Sequence, residues 1–323
     1  MNIIRRFTDC PIQARHSVIA LGNFDGVHRG HQVVIHKAQE VAARLNRPSA
    51  VLTFEPHPIS VLRANIPPFR ITPFREKALM MQHFGVDTLF IAHFTQALRT
   101  MPAKEFVREI LLKQLQVSHV VIGHDFIFGH NREGNADLLR DVLSEENIEL
   151  TQVSPVTHSF SGDDTEVFSS TRIREHIRSG DIPTVTTLLG HDYVIKGRVR
   201  IGDQRGRLLG FPTANVRLRD HIRPAFGVYA VEVNIGKETI WRPAIANIGQ
   251  KPTFGSKHDL AEIHIFDFSN DIYNKRIRIR IIHFIRAEQK FASANELIAQ
   301  ITEDCNIARQ FFAKRITSLD NNQ

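Results

Sequence analysis

The spacing of apolar residues changes once along this chain, within residues 180–189, and no other feature limits the fold as much. Ahead of that point, short apolar runs alternate with helical patterns. Strands are predicted at 17–21, 50–54, 88–92, 119–122 and 149–154, and helices at 31–45, 73–84, 102–115 and 135–146. Alternation at this spacing implies βαβ units, hence an α/β domain with a mostly parallel sheet covered by helices on both faces. Ligands of such sheets bind beyond the carboxyl ends of the strands. Past residue 190, VIKGRVRI, GVYAVEV, TIWRPAIANI, EIHIFDF and IRIRIIHFI alternate apolar with polar positions and no helix comes between them, which predicts an antiparallel barrel or sandwich. Only 294–318 reads as a helix there, packed on the outside. Two domains follow, residues 1–182 and 183–323, with SGDIPTVTTLLGHDY as a short turn-bounded segment at the join.

Composition narrows the function classes. No apolar run is long enough to span a bilayer, and MNIIRRFTDCP lacks the apolar core of a signal peptide, so a cytoplasmic protein is expected. Two cysteines, Cys10 and Cys305, exclude a disulfide framework or a Cys-rich metal site. A net charge of +7 attracts anions, ATP and nucleic acid among them. Lys and Arg are spread over the chain, and the densest run, KRIRIR at 275–280, alternates with Ile as a half-exposed strand does.

The chemistry-bearing text begins at 18–31, VIALGNFDGVHRGH: a buried strand, a short loop and a helix start. Such a loop offers free backbone N–H groups and the positive end of a helix dipole to a phosphate. Gly22, Asn23, Phe24 and Gly30 are its candidate nucleotide contacts. His28 and His31, three apart, share one face if the helix starts near His28, where two imidazoles can bind phosphate oxygens and stabilise developing charge. GNFDGVHRGH resembles the HxGH signature of the nucleotidylyltransferase superfamily, in the form found in bacterial riboflavin kinase/FMN adenylyltransferases. The resemblance implies a Rossmann-like N-terminal domain that adenylylates FMN with ATP.

Three further loops carry the same resemblance. TFEPHP, 53–58, is stiffened by two prolines, and His57 cannot be helical before Pro58; the family shows this string in a substrate-facing loop. GHDFIFGHNREG, 123–134, reads as a flexible glycine-flanked loop whose Phe126 and Phe128 either expose a surface on which a flat ring could stack or, as aromatic pairs in loops more often do, join a satellite of the core. It is similar to the family's GxDFxFG, so Asp125 and Phe126 are implied flavin contacts, with departures at Ile127 (Arg is common) and Asn135 (Asp is common). In FSSTRIR, 168–174, Ser169, Ser170 and Thr171 are N-cap residues, while Arg172 and Arg174 in a first turn oppose the helix dipole unless an anion binds there. The family's similar motif implies that Ser170, Thr171 and Arg174 grip ATP phosphates.

The second domain has its own phosphate text, GRVRIGDQRGRLLGFPTAN at 197–215. It is neither a Walker A nor a dinucleotide fingerprint, yet Gly202, Gly206 and Gly210 with Arg207 can wrap a triphosphate in backbone amides. Thr213 and Asn215, two apart on an extended segment, point to one side and offer hard oxygen ligands to Mg2+. The string resembles the riboflavin kinase signature, as do FGVYA, 226–230, and NIGQKPTF, 247–254. By family position Glu262 is the implied base for the ribityl hydroxyl, and Asp267 is the competing carboxylate. Asn274 stands where Gly is common, and Asn tolerates a left-handed turn. The resemblance thus implies a bifunctional enzyme with ATP, riboflavin, FMN and FAD as its ligands, Mg2+ as cofactor, and no nucleic-acid or membrane partner. Two competing readings stand beside it: an adenylyltransferase for another phosphorylated vitamin, and a nucleic-acid-binding protein using its basic surface.

Overall fold

The computed structural model describes residues 1–8, 10–63, 65–159, 165–202, 204–253 and 256–320; Asp203 and Phe254, which fall inside two of the strings above, lie outside them. The chain forms two compact units, Met1–Pro67 with Ile71–Ser170, and Pro68–Arg70 with Thr171–Gln323.

The first unit is a parallel sheet covered on both faces. Its elements are β1 (Asn2–Ile4), β2 (Val18–Leu21), α1 (Arg29–Leu45), β3 (Ser49–Glu55), α2 (Pro58–Leu62), α3 (Phe74–His83), β4 (Thr88–His93), α4 (Gln96–Thr100), α5 (Ala103–Glu105), β5 (His119–Gly123), α6 (Ala136–Ser144), β6 (Glu149–Val153), and the hairpin β7 (Thr157–Ser159) and β8 (Thr165–Val167). The sheet order is β1-β4-β3-β2-β5-β6, every pair parallel. Alternate residues of one strand serve two cores: Ile19 and Leu21 join Leu52, Phe90, Val120 and Phe106 on one face, and Val18 and Ala20 join Val51, Ile91 and the α1 residues Val34, Ile35, Ala38, Val41 and Ala42 on the other. That helical stripe and the all-apolar strands are what a doubly covered parallel sheet demands.

All five predicted strands and all four predicted helices of this region are present. β1 had escaped the sequence reading because three residues at a sheet edge carry no period. The helix predicted over 102–115 continues from α5 as a wider π-wound segment, Phe106–Gln114, closed by the Leu115 N–H donating to the Ile110 carbonyl five residues back. Strand order reverses between β2 and β5, so the loops leaving their carboxyl ends, 22–28 and 124–135, flank the place where such sheets bind ligands.

In the second unit, α7 (Ser170–Ser179, whose first residue belongs to the first unit) and α8 (Ile182–Leu189) precede a closed barrel. Its members are β9 (Tyr193–Arg200), the short α9 (Arg205–Leu208), β10 (Ala214–Arg217), β11 (Gly227–Ile235), β12 (Arg242–Thr253), β13 (Ser256–Ile265) and β14 (Arg276–Ala287), followed by α10 (Ala294–Asp320). The barrel order is β10-β13-β12-β11-β14-β9, antiparallel throughout and closed by β10 on β9. The segment read as a turn-bounded connection is helical over α8: the Asp181 carboxylate caps it by accepting from the Thr184 N–H at 3.3 Å, and Gly190 ends it at φ +73°. The KRIRIR run is the β14 strand face. Arg278 donates to Asn234 at 2.8 Å, and Arg280 meets Glu232 and Asp192 at 2.8 and 2.9 Å while lying 4.0 Å over the Trp241 ring.

α10 seats Cys305, Ala308 and Phe312 on Val228, Ala230, Ile245 and Ile282 of the barrel wall. A charged contact crosses this seam where Arg286 of β14 grips Asp304, 2% exposed, with Nε and Nη2 at 2.9 and 2.7 Å. Removing one partner of a buried pair strands the other. Asp304→Ala is therefore expected to destabilise the barrel by about 3 kcal/mol, read from urea unfolding followed by the fluorescence of Trp241, the single tryptophan; a loss below about 1 kcal/mol would contradict a locking role.

Candidate functional site

The loop after β2 is shaped by its backbone. Phe24, Gly26 and Val27 all have positive φ, +50°, +91° and +43°. For a β-branched residue such as Val27 that region is strained and persists only where the surroundings impose it. Asp25, 2% exposed, supplies part of that constraint: its carboxylate accepts from the N–H groups of Ile71 and Thr72 at 3.2 and 3.0 Å, and its carbonyl accepts from Ser170 Oγ at 2.9 Å. Ser170, the last residue of the first unit, is thereby tied to the loop. Sequence reasoning passed over Asp25, whose only signal was a carboxylate in a loop otherwise suited to anions.

His28 caps α1, its Nδ1 accepting from the His31 N–H at 3.4 Å. The two imidazoles stack with centroids 3.6 Å apart, and the Phe24 ring meets His31 edge-on at 5.2 Å. The pair therefore shares one face of the helix start, as the spacing predicts. A methyl group on Gly30 would come within 3.2 Å of the His28 ring, so this glycine lets the ring lie close to the helix. The Gly22 N–H donates to the Leu52 carbonyl at 3.1 Å, and the Asn23 carbonyl turns inward to accept from Thr53 Oγ1 at 3.0 Å.

The remaining N-terminal candidates are spread over neighbouring loops. His57 is buried in an extended conformation and caps α2, accepting from the Ile59 N–H at 3.2 Å. In the 123–134 loop the structure takes the core reading of the aromatic pair. Phe128 is core, packed on Phe106 and pinned by two backbone hydrogen bonds with Gly134, while half-buried Phe126 stacks on Phe128 at 5.5 Å. The aromatic pair folds back because the Phe106 cluster offers it apolar surface, so the loop is anchored, with Asp125 and Ile127 among its exposed residues. Asn135 caps α6 through Oδ1 and the Leu138 N–H at 2.9 Å, a role Asn and Asp fill alike. In the second unit, exposed Thr171 lies in the first turn of α7, and Arg174 Nε donates to the Phe69 carbonyl at 3.0 Å with its guanidinium 5.4 Å over that ring.

The barrel candidates meet on one rung. Asn215 on β10 stands opposite Glu262 on β13, which stands opposite Asn247 on β12. Val216, Ala261 and Ile263, the neighbours of Asn215 and Glu262 along their strands, are fully buried, which puts the polar rung on the other face. The glycine-rich segment lies over this rung. A methyl group at Gly202 would fall 2.6 Å from Asn215 Nδ2, and one at Gly206 would fall 2.5 Å from the Phe211 carbonyl and 3.3 Å from Thr213 Oγ1. Thr213 and Asn215 therefore face the same loop. Arg207 is exposed on α9 and Gly210 turns at φ +89°. His264 Nδ1 donates to the Pro212 carbonyl at 3.0 Å, fixing the approach to Thr213. Asp267 is turned to α10, where Arg309 donates to both its oxygens at 2.9 and 3.0 Å and holds the carboxyl below its usual range. Glu262, not Asp267, is the carboxylate on the rung.

Residues 10–172 match the family model for FAD synthetase, and residues 189–312 match that for riboflavin kinase. The bifunctional riboflavin kinase/FMN adenylyltransferase of Escherichia coli is 38% identical over 91% of this chain and 92% of its own length, and that of Listeria monocytogenes 40% identical over 93% of each. This chain belongs to the bifunctional riboflavin kinase/FMN adenylyltransferase family. A solved structure described as a macrolide-efflux protein of Streptococcus pneumoniae is also similar, with 31% identity and a TM-score of 0.83 over 96% of this chain and 99% of that one. Among the described residues no helix is long and apolar enough to cross a membrane. Within the family, Gly202→Ala is expected to displace Asn215 and cut riboflavin phosphorylation at least about tenfold, leaving FAD formation from supplied FMN unchanged; a chromatographic assay of both products checks it.

Proposed function

We propose the following division of labour for a chain that, as a family member, is an ATP-using transferase acting on flavins. Residues 183–323 phosphorylate riboflavin to FMN, and residues 1–182 adenylylate FMN to FAD with release of pyrophosphate. The observation that carries the reading is the pairing, in one chain, of the stacked His28 and His31 at a helix start with the Asn215–Glu262 rung under a glycine-rich loop.

In adenylyl transfer an FMN phosphate oxygen attacks the α-phosphorus of ATP and pyrophosphate leaves, so no protein nucleophile takes part. His28 and His31 stabilise the negative charge that builds on the phosphorus oxygens, helped by the dipole of α1. Gly22, Asn23, Phe24 and Gly30 contribute the shape and backbone of the ATP loop; Ser170, Thr171 and Arg174 hold the departing pyrophosphate. Asp125, Phe126 and the loop capped by His57 contact the flavin.

In phosphorylation the ribityl hydroxyl attacks the γ-phosphorus and ADP leaves. Glu262 orients that hydroxyl and takes its proton. The segment bearing Gly202, Gly206, Arg207 and Gly210 wraps the triphosphate. Thr213 and Asn215 are oxygen ligands of the kind Mg2+ takes, in a cradle that a Cβ at Gly202 or Gly206 would fill. When bound there, Mg2+ supplies charge neutralisation for the β- and γ-phosphates. Arg278 and Arg280 of β14 are engaged by Asn234, Glu232, Asp192 and Trp241, which supports reading the +7 charge as a surface for ATP rather than for nucleic acid. Both cysteines are buried and unbridged, with burial raising each thiol's pKa, that of Cys305 to about 11, which suits the cytoplasm.

The test is incubation with riboflavin and Mg-ATP followed by chromatography for FMN and FAD. His28→Ala is expected to abolish FAD while FMN accumulates, and Glu262→Ala to abolish FMN formation while FAD still forms from supplied FMN. Equal loss of both activities in either variant would defeat the two-site reading.

A further inference from the structure

We infer that Lys77, which lies outside every motif named above, is a positioning residue for FMN adenylylation: its ammonium holds the Asn23 carbonyl inward and so sets Phe24 against His31. The inference rests on the reading of His28 and His31 as the adenylyl-transfer pair.

Lys77 sits on the core face of α3 with Ala78 and Met81, and its side chain is fully buried. An ammonium in that position costs several kcal/mol in lost hydration, which an apolar side chain would avoid. Its surroundings show what the charge is placed to do. Nζ donates to the Asn23 carbonyl at 3.0 Å and to Thr53 Oγ1 at 3.1 Å, and pairs with Glu55 Oε1 at 3.2 Å. Thr53 Oγ1 donates to the same Asn23 carbonyl at 3.0 Å, so that oxygen receives two donors.

In a trans peptide the C=O and N–H point opposite ways. Pinning the Asn23 carbonyl therefore turns the Phe24 N–H away from the ammonium and fixes the entry into the left-handed φ of +50° at Phe24. A non-glycine residue holds such a conformation only while its neighbours enforce it. With Phe24 so placed, its ring meets His31 at 5.2 Å, and His31 stacks on His28 at 3.6 Å. The order of support runs from the buried cation to the loop carbonyl, to the aromatic ring, to the imidazole pair.

Lys77→Met keeps most of the side-chain volume but leaves the Glu55 carboxylate unmatched, so it is tested together with Glu55→Gln. For the double variant, kcat of FMN adenylylation is expected to fall about 100-fold, the scale of a misplaced catalytic group. KM for ATP should rise by less than kcat falls, because Gly22 and Asp25 keep their own ties to Leu52, Ile71 and Thr72, and riboflavin phosphorylation by the same preparation should be unchanged. Adenylylation near the wild-type rate would overturn the inference, as would a parallel fall in both activities. Should the double variant not fold, Thr53→Val removes one donor to Asn23 without stranding a charge, and is expected to lower the same kcat about tenfold; an unchanged kcat overturns the inference equally. A wild-type enzyme that makes no FAD from FMN would remove the underlying site reading, whereas an active wild type with an equally active variant removes only the role of Lys77.

Discussion

The nucleotidyl-transfer end of the first unit depends on a short loop kept in a backbone conformation it would not adopt alone. Three positive φ angles between Phe24 and Val27 cost free energy, on the order of 1–3 kcal/mol each at the two non-glycine positions. Buried hydrogen bonds offset that cost. Asp25 ties the loop to Ile71 and Thr72 through buried contacts and to Ser170 through a partly buried one. The outcome is a helix start that presents two stacked imidazoles, one of them against the Phe24 ring. Rigid placement matters because groups that stabilise developing charge are effective only when they need no reorganisation at the moment of reaction.

The barrel reaches the same end by a different route. Here close approach, not strain, does the positioning: the glycine-rich segment can lie on Asn215 and Thr213 only because Gly202 and Gly206 have no side chains. The register of β10, β13 and β12 then lines up Asn215, Glu262 and Asn247 across three strands. A shift of one residue in that pairing would send Glu262 to the other face of the barrel, so the alternation of apolar residues that closes the barrel also aims the carboxylate.

Much of this was legible beforehand, and the reasons differ by element. Period-2 and period-3.6 patterns gave the strands and helices of both units, since burial of one face or stripe leaves a direct trace in sequence. The His28–His31 spacing sufficed to predict a shared face because helix geometry is fixed. What escaped is non-local. Asp25, Thr53, Lys77 and Glu55 are polar residues whose partners lie far away in sequence, and no periodicity announces a buried donor. The loop at 123–134 stays open in the sequence for the same reason: glycines and aromatics fit an exposed loop and a piece of core alike, and only the Phe106 cluster, which the fold brings alongside, decides that Phe128 is core. α8 was underestimated because its cap residues, Asp181 and Gly190, are turn formers as well.

The chemistry explains why one chain carries two such unlike sites. The nucleophile of the second reaction is a phosphate, already an anion near neutral pH, so it needs stabilisation of the charge it creates and no base. At the proposed site, imidazoles and amides at a helix start provide that. The nucleophile of the first reaction is a neutral hydroxyl, which must lose a proton as it attacks, so a carboxylate has to stand beside it. Glu262 is held on a barrel strand next to Asn215, whereas no carboxylate of the first unit's loop is available for such a role, Asp25 being engaged by two backbone N–H groups. The protonation state of the attacking oxygen thus selects the type of site.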